Sequence, residues 1–134
     1  MKKLALFFIA ILILNGCNVE DDSPKFHYEI LPIESYTVPQ SFVLGQTYPI
    51  KVKYKKGTNC NQFQGFYYEK NLNVRTIAVQ TAVSENSNCL ADTTRVEVSF
   101  NFNVTSNGSY IFKFFKGVDE AGNDLFHEVE IPVN

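Results

Sequence analysis

The sequence predicts an all-β domain, a sandwich of seven strands, behind a short N-terminal leader. Three observations carry that expectation. Apolar residues recur with period two almost everywhere after residue 25, turn residues interrupt the chain at regular intervals, and no stretch beyond the leader sustains a helical period. Tyr48, Ile50, Val52 and Tyr54 alternate with Lys51, Lys53 and Lys55, and Val96, Val98, Phe100, Phe102 and Val104 alternate with Arg95, Glu97, Ser99, Asn101 and Asn103. Such alternation puts one face of a strand on a core and the other in water.

In chain order the expected strands cover 26–37, 47–56, 63–70, 73–83, 94–104, 109–116 and 125–133. The connections carry the chemistry that turns require: Leu44-Gly45-Gln46, Lys56-Gly57-Thr58-Asn59, Asn71-Leu72-Asn73, Ser106-Asn107-Gly108 and Glu120-Ala121-Gly122-Asn123-Asp124. Residues 26–134 make one domain, long enough to bury a core rich in phenylalanine and tyrosine, with no internal repeat or low-complexity block.

The leader is a different kind of segment. Lys2 and Lys3 precede an uncharged apolar run from Leu4 to Leu14, too short to cross a hydrocarbon core of about 30 Å comfortably. Leu14-Asn15-Gly16-Cys17 then resembles the lipobox of bacterial lipoproteins, although Asn15 departs from the commoner Ala, Ser or Thr. The resemblance implies a signal peptide over 1–16, acyl chains on Cys17 as the membrane anchor, and a lipidated tether over 17–25. Each buried methylene contributes about 0.8 kcal/mol, so several chains on one residue hold almost permanently. Glu20, Asp21 and Asp22 resemble the surface-export signal of Bacteroidetes lipoproteins, which implies an outer-membrane lipoprotein exposed on the cell surface; a solvated linker is the alternative.

Without Lys2 and Lys3 the chain keeps fourteen acidic residues against ten basic ones, a formal charge of about −4. Nucleic acid and anionic lipid headgroups are therefore poor partners.

The strand count and spacing resemble an immunoglobulin-like sandwich. Ser106-Asn107-Gly108-Ser109-Tyr110 resembles the corner entering the sixth strand of that family, where a tyrosine hydroxyl bonds back to upstream backbone. Val118-Asp119-Glu120-Ala121-Gly122-Asn123 resembles the last hairpin of bacterial immunoglobulin-like repeats. With the strands in that order, Cys60 and Cys89 fall in loops at one end, and an exported chain implies a disulfide between them. Immunoglobulin domains place their bridge elsewhere, between the second and sixth strands, so this one departs from the pattern.

Few residues suggest chemistry. His27 and His127 are lone strand histidines, of the kind that are usually structural, and hydrolase, zinc-protease and phosphate-loop motifs are missing from the sequence. A non-catalytic protein without a cofactor is expected. Asp119 and Asp124 could offer oxygens to calcium, but Asp, Asn and Gly also suit a tight hairpin, and the turn reading is preferred. Asp92-Thr93-Thr94 resembles a Bacteroidetes O-glycosylation site with Thr93 as acceptor.

The third and sixth strands are aromatic on both faces. Taken as neighbours, they would present Phe66, Tyr68 and Phe115 on the second face, a patch suited to a glycan or an envelope protein partner. Coverage of that face by the chain itself is the alternative. The leading expectation is a lipid-anchored binding or scaffolding module using this face or the apical loops. The alternative is an accessory subunit of an outer-membrane or envelope complex.

Overall fold

The computed structural model describes Gly16, Asp21 and residues 23–85 and 88–134. Residues 1–15, Cys17, and Glu20 and Asp22 of the acidic segment lie outside the described residues. Among the described residues eight strands form two sheets: β1 (Phe26–Leu31), β2 (Ile33–Thr37), β3 (Thr47–Thr58), β4 (Asn61–Asn71), β5 (Val74–Ser84), β6 (Ala91–Asn103), β7 (Tyr110–Val118) and β8 (Asp124–Ile131). Among the described residues no helix is long and apolar enough to cross a membrane. The eighth strand comes from the first expected one, which Pro32 divides. Proline lacks the N–H a ladder needs, so β1 pairs with β5 in one sheet and the chain then passes to the other, where β2 pairs with β3.

The smaller sheet runs β2-β3-β6 and is antiparallel. The larger is organised around β5. Along one edge β5 pairs with β4 over its whole length, from Asn61 opposite Val83 to Asn71 opposite Val74. Its other edge is divided. Val74–Ile77 pair in parallel with Ile111–Phe114 of β7, and Val79–Ser84 pair antiparallel with β1. The third and sixth expected strands are therefore not neighbours, because β5 lies between β4 and β7.

The two inner faces share one core. Ile33, Ile50, Val52, Tyr54 and Phe102 of the smaller sheet meet Ile77, Val79, Phe112, Phe114 and Ile131 of the larger. Each large apolar side chain fully buried there contributes roughly 1.5–3 kcal/mol. Phe42, from the β2–β3 loop, is wholly buried and touches the rings of Tyr48, Phe102, Tyr110 and Phe112 at centroid distances of 5.0–6.1 Å. Its backbone is clamped to the C-terminus, donating to Pro132 at 2.8 Å and accepting from Asn134 at 2.8 Å.

Tyr110 closes the corner the sequence suggested. Its hydroxyl accepts from the backbone N–H groups of Thr105 and Ser106 at 3.2 and 2.9 Å. Burial pushes the phenol up, but those donors and the nearby Arg75 outweigh it and leave its pKa below the ordinary tyrosine value.

Among the described residues three polar side chains are buried with their partners: Asn61, Thr81 and Arg75. Asn61 donates to Glu29 and Thr81 and accepts from the Thr58 N–H and hydroxyl, at 2.7–3.0 Å, tying β1, β3 and β5 together. Arg75 lies beneath Tyr110, its guanidinium carbon 5.1 Å from the ring centroid, and donates to the carbonyls of Leu72 and Val74.

Cys60 and Cys89 form the expected disulfide, with their Cα atoms 5.5 Å apart. It joins the β3–β4 turn to the β5–β6 loop. Asn59 reinforces the junction, its N–H donating to the Leu90 carbonyl and its side-chain oxygen accepting from the Leu90 N–H, both at 3.0 Å.

Replacing both Cys60 and Cys89 by alanine is expected to lower unfolding stability by about 3 kcal/mol, read from urea unfolding curves extrapolated to water. Leu72 holds a positive φ of 53° in the two-residue β4–β5 turn and is 86% exposed, so its side chain gains little from packing. Leu72→Asn removes most of the cost of that conformation and is expected to raise stability by about 1 kcal/mol, measured the same way.

Candidate outer-face site

The outer face of the larger sheet carries the most distinctive surface. A depression of about 340 Å³ is lined by Ile30 of β1, Tyr67 and Glu69 of β4, Thr76 and Ala78 of β5, Phe115 of β7, and Asp124 and Phe126 of β8. It lies where β5 passes from one edge partner to the other: β7 pairs as far as Ile77 and β1 from Val79 onward. A second irregularity lies beside it, a register shift between Phe115 and Gly117 in the β7–β8 hairpin, with Gly117 at φ 127°, a conformation that favours glycine.

Its apolar walls come from opposite strands. Phe115 faces Phe126 across the hairpin, with ring centroids 6.2 Å apart and planes at 64°. Tyr67 pairs with Ala78 on the other side, and Ala78, small and buried, leaves room beneath the rings. The Tyr67 hydroxyl donates to Glu69 Oε2 at 2.8 Å, which fixes the orientation of its ring. Glu69 and Asp124 place two carboxylates at the margin, and among the described residues no basic side chain lines the depression. Lys113, outside the lining, has its Nζ 4.5 Å from the Phe126 ring centroid and 3.7 Å from Glu128. An apolar strip continues along β1 through Phe26, Tyr28 and Ile30, all exposed on the same alternation.

Of the three aromatics expected to share a binding face, Phe115 lines the depression and Phe66 and Tyr68 point the other way. A β-bulge between Phe63 and Gly65 adds one residue to β4 and reverses the alternation after it. Phe66 and Tyr68 consequently lie opposite Val79 and Ile77, on the inner side, and meet Phe100 of β6 at centroid distances of 5.1 and 5.9 Å. Tyr67 takes the outward position. The useful sequence signal was Gly65 itself, since glycine inside a strand pattern often marks a bulge. Phe126, Ile30 and Glu69 carried no comparable signal, because only the sheet order places them beside Tyr67.

The two calcium candidates have separate roles. Asp119 accepts from the Asn123 N–H at 2.9 Å and from its side-chain amide at 3.3 Å, closing the β7–β8 turn. Those bonds, the Asn123 N–H foremost, hold its carboxyl below the usual range. Asp124 instead lines the depression. Among the described residues no group of three or more His, Cys, Asp or Glu side chains is arranged to hold a metal ion. Thr93 is exposed on β6, next to Asp92, whose carboxylate accepts from the Thr94 N–H. His127 lies on the inner alternation, its ring centroid 5.9 Å from that of Tyr36. His27 sits between Glu29 and Glu85, and its hydrogen bond to Glu29 raises its pKa.

No protein-family model, curated protein or solved structure matches this chain.

The site has its own titration signature. The hydrogen bond to Glu69, then the Glu69 charge, burial and Asp124, push the Tyr67 phenol above its ordinary value of 10.0. A group bound more tightly to its proton in the folded state stabilises the fold below its unfolded pKa, and that contribution disappears as pH rises through the folded value. In alkaline NMR titration Tyr67 is expected to ionise above the ordinary tyrosine value of 10.0, and Glu69→Gln should bring its midpoint down.

Proposed function

We propose that this chain is a non-catalytic binding module of the bacterial envelope, held to the membrane by a lipid on Cys17, with the outer face of the β4-β5-β7-β8 sheet as its contact surface. The observation that carries the reading is the outer-face depression, with three aromatic side chains and two carboxylates around a floor set by Ala78. Exposed aromatic surface at a concavity is uncommon on a monomer without a partner, and rings fixed by hydrogen bonding and packing contribute contact area at low entropic cost. An immunoglobulin-like lineage is part of the proposal. The Tyr110 corner supports it, and the insertion of β5 between β4 and β7 departs from the family arrangement.

The anchor rests on the leader, its Leu14-Asn15-Gly16-Cys17 segment and the charges that follow. In this reading the protein sits in the outer membrane, exposed at the cell surface through the acidic export signal. A glycan or an envelope protein is the external partner, and nucleic acid is not. An accessory subunit of an envelope complex is the second reading. It is favoured by the length of the strip, since Phe26 and Tyr28 remain 51% and 54% exposed beyond the depression, more than a small ligand would cover.

Two measurements test the proposal. Protease shaving of intact cells is expected to release the domain while acylated Cys17 stays with the membrane; protection until the outer membrane is opened would overturn surface exposure. A photo-crosslinking residue at position 67 is expected to trap a partner or ligand in cells, while the same residue at position 53 on the other sheet traps none. Equal yields at the two positions would remove the outer face as the contact surface.

A further inference from the structure

We infer that the outer-face depression recognises a positively charged side chain, a lysine or arginine presented by a protein partner. The inference rests on the outer-face reading above and adds the chemistry of what binds there.

The lining combines three elements that together suit a cation. Phe115 and Phe126 meet at 64°, giving two ring surfaces set at a steep angle, and Tyr67 stands across from them. Ring faces attract ammonium and guanidinium groups through their quadrupoles, more strongly where water is displaced. Glu69 and Asp124 add negative charge at the rim; among the described residues no lysine, arginine or histidine lines the depression, and Lys113, over the Phe126 ring, is paired with Glu128. Asp124 contributes to the upward shift at Tyr67, so both carboxylates act on the same small region.

The molecule already shows the attraction on one of the lining rings. Lys113 places its ammonium 4.5 Å from the Phe126 centroid while keeping Glu128 at 3.7 Å. An aromatic ring with a carboxylate beside it therefore holds a cation on this face, and the depression offers the same combination again in Tyr67 and Phe115 with Glu69 and Asp124.

Size and charge narrow the occupant. At about 340 Å³ the depression is at the small end for ligand sites, suited to one side chain rather than an extended ligand. The chain's own Glu20, Asp21 and Asp22 carry the wrong charge to occupy it. The strip of Phe26, Tyr28 and Ile30 gives the rest of a protein partner an apolar surface beside the anchored side chain.

The experiment is an NMR titration of the isotopically labelled protein, purified in detergent, with an end-blocked Gly-Lys-Gly peptide and its Nε-acetylated counterpart. The lysine peptide is expected to shift Tyr67, Phe115 and Phe126 saturably and more weakly as salt rises. Acetylation should abolish the effect, and Glu69→Gln or Asp124→Asn should weaken it about tenfold. Both carboxylates are at the surface, so these variants are expected to fold, which unchanged amide spectra elsewhere would verify. Equal binding of the acetylated peptide, indifference to the two substitutions, shifts confined to other residues, or no shift at all would each overturn the inference. If a neutral oligosaccharide shifts the same three aromatics in wild type and both variants, the outer-face reading stands and the cation assignment falls. If position 67 also traps nothing in cells, both fall together.

Discussion

Strand β5 has three neighbours, and the larger sheet takes its form from how they share its two edges. One edge is given wholly to β4. The other cannot be occupied by β1 and β7 at the same level, so β7 holds Val74–Ile77 and β1 holds Val79–Ser84. A strand that changes partners partway along leaves a place where neither new neighbour continues the other's surface. Here that place is shallow, floored by Ala78 and walled by side chains from four strands. The concavity is a consequence of hydrogen-bond allocation along one backbone edge. Pro32 takes part in the same arrangement by ending β1's run in this sheet and sending the chain to the other.

The arrangement depends on β1 staying on β5, and β1 has little apolar reason to stay. Its outward residues Phe26, Tyr28 and Ile30 are exposed, and its burial is slight along most of its length. Asn61 supplies a polar reason. It is 1% exposed, and its four side-chain bonds reach three elements: Glu29 of β1, Thr81 of β5 and, twice, Thr58 at the end of β3. Buried amides with every bond made fix register, because a shifted strand would leave donors unpaired at a cost of roughly 1–3 kcal/mol each. The Thr81 hydroxyl adds a bond to the Glu29 carbonyl. The disulfide, one residue from Asn61, holds the turn that carries this node.

The period-two alternation made the strands legible because half-buried strands must alternate, and β3 and β6 follow it almost residue for residue. The Tyr110 corner and the Cys60–Cys89 bridge were legible for local reasons, a short motif and a shared end of the sandwich. Sheet order was not, because alternation says which face a residue takes and nothing about which strand lies beside it. The parallel pairing of β5 with β7 therefore had no sequence signature. The aromatic outer face was legible in kind and wrong in detail. Aromatics on both sides of β4 pointed to an exposed patch, but the bulge before Gly65 exchanged Tyr67 for Phe66 and Tyr68. Phe42 was missed because a loop residue carries no periodicity, although it plugs the core at the end where the chain terminates.

The same bulge separates two uses of aromatic surface that would otherwise conflict. Without it, Phe63 and Tyr67 would share one face of β4, and Phe66 and Tyr68 the other. With it, Phe63, Phe66 and Tyr68 gather on the inner side, where Phe63 meets Phe66 and Tyr54, and Phe66 meets Phe100. They close the side of the sandwich where β4 and β6 are both edge strands. Tyr67 is left alone on the outer side, close to a carboxylate that orients it. One extra residue thus assigns three rings to stability and one to the surface. Tyr67 can then be altered with little effect on the packing that holds the two sheets together, a separation that a regular strand of this composition could not provide.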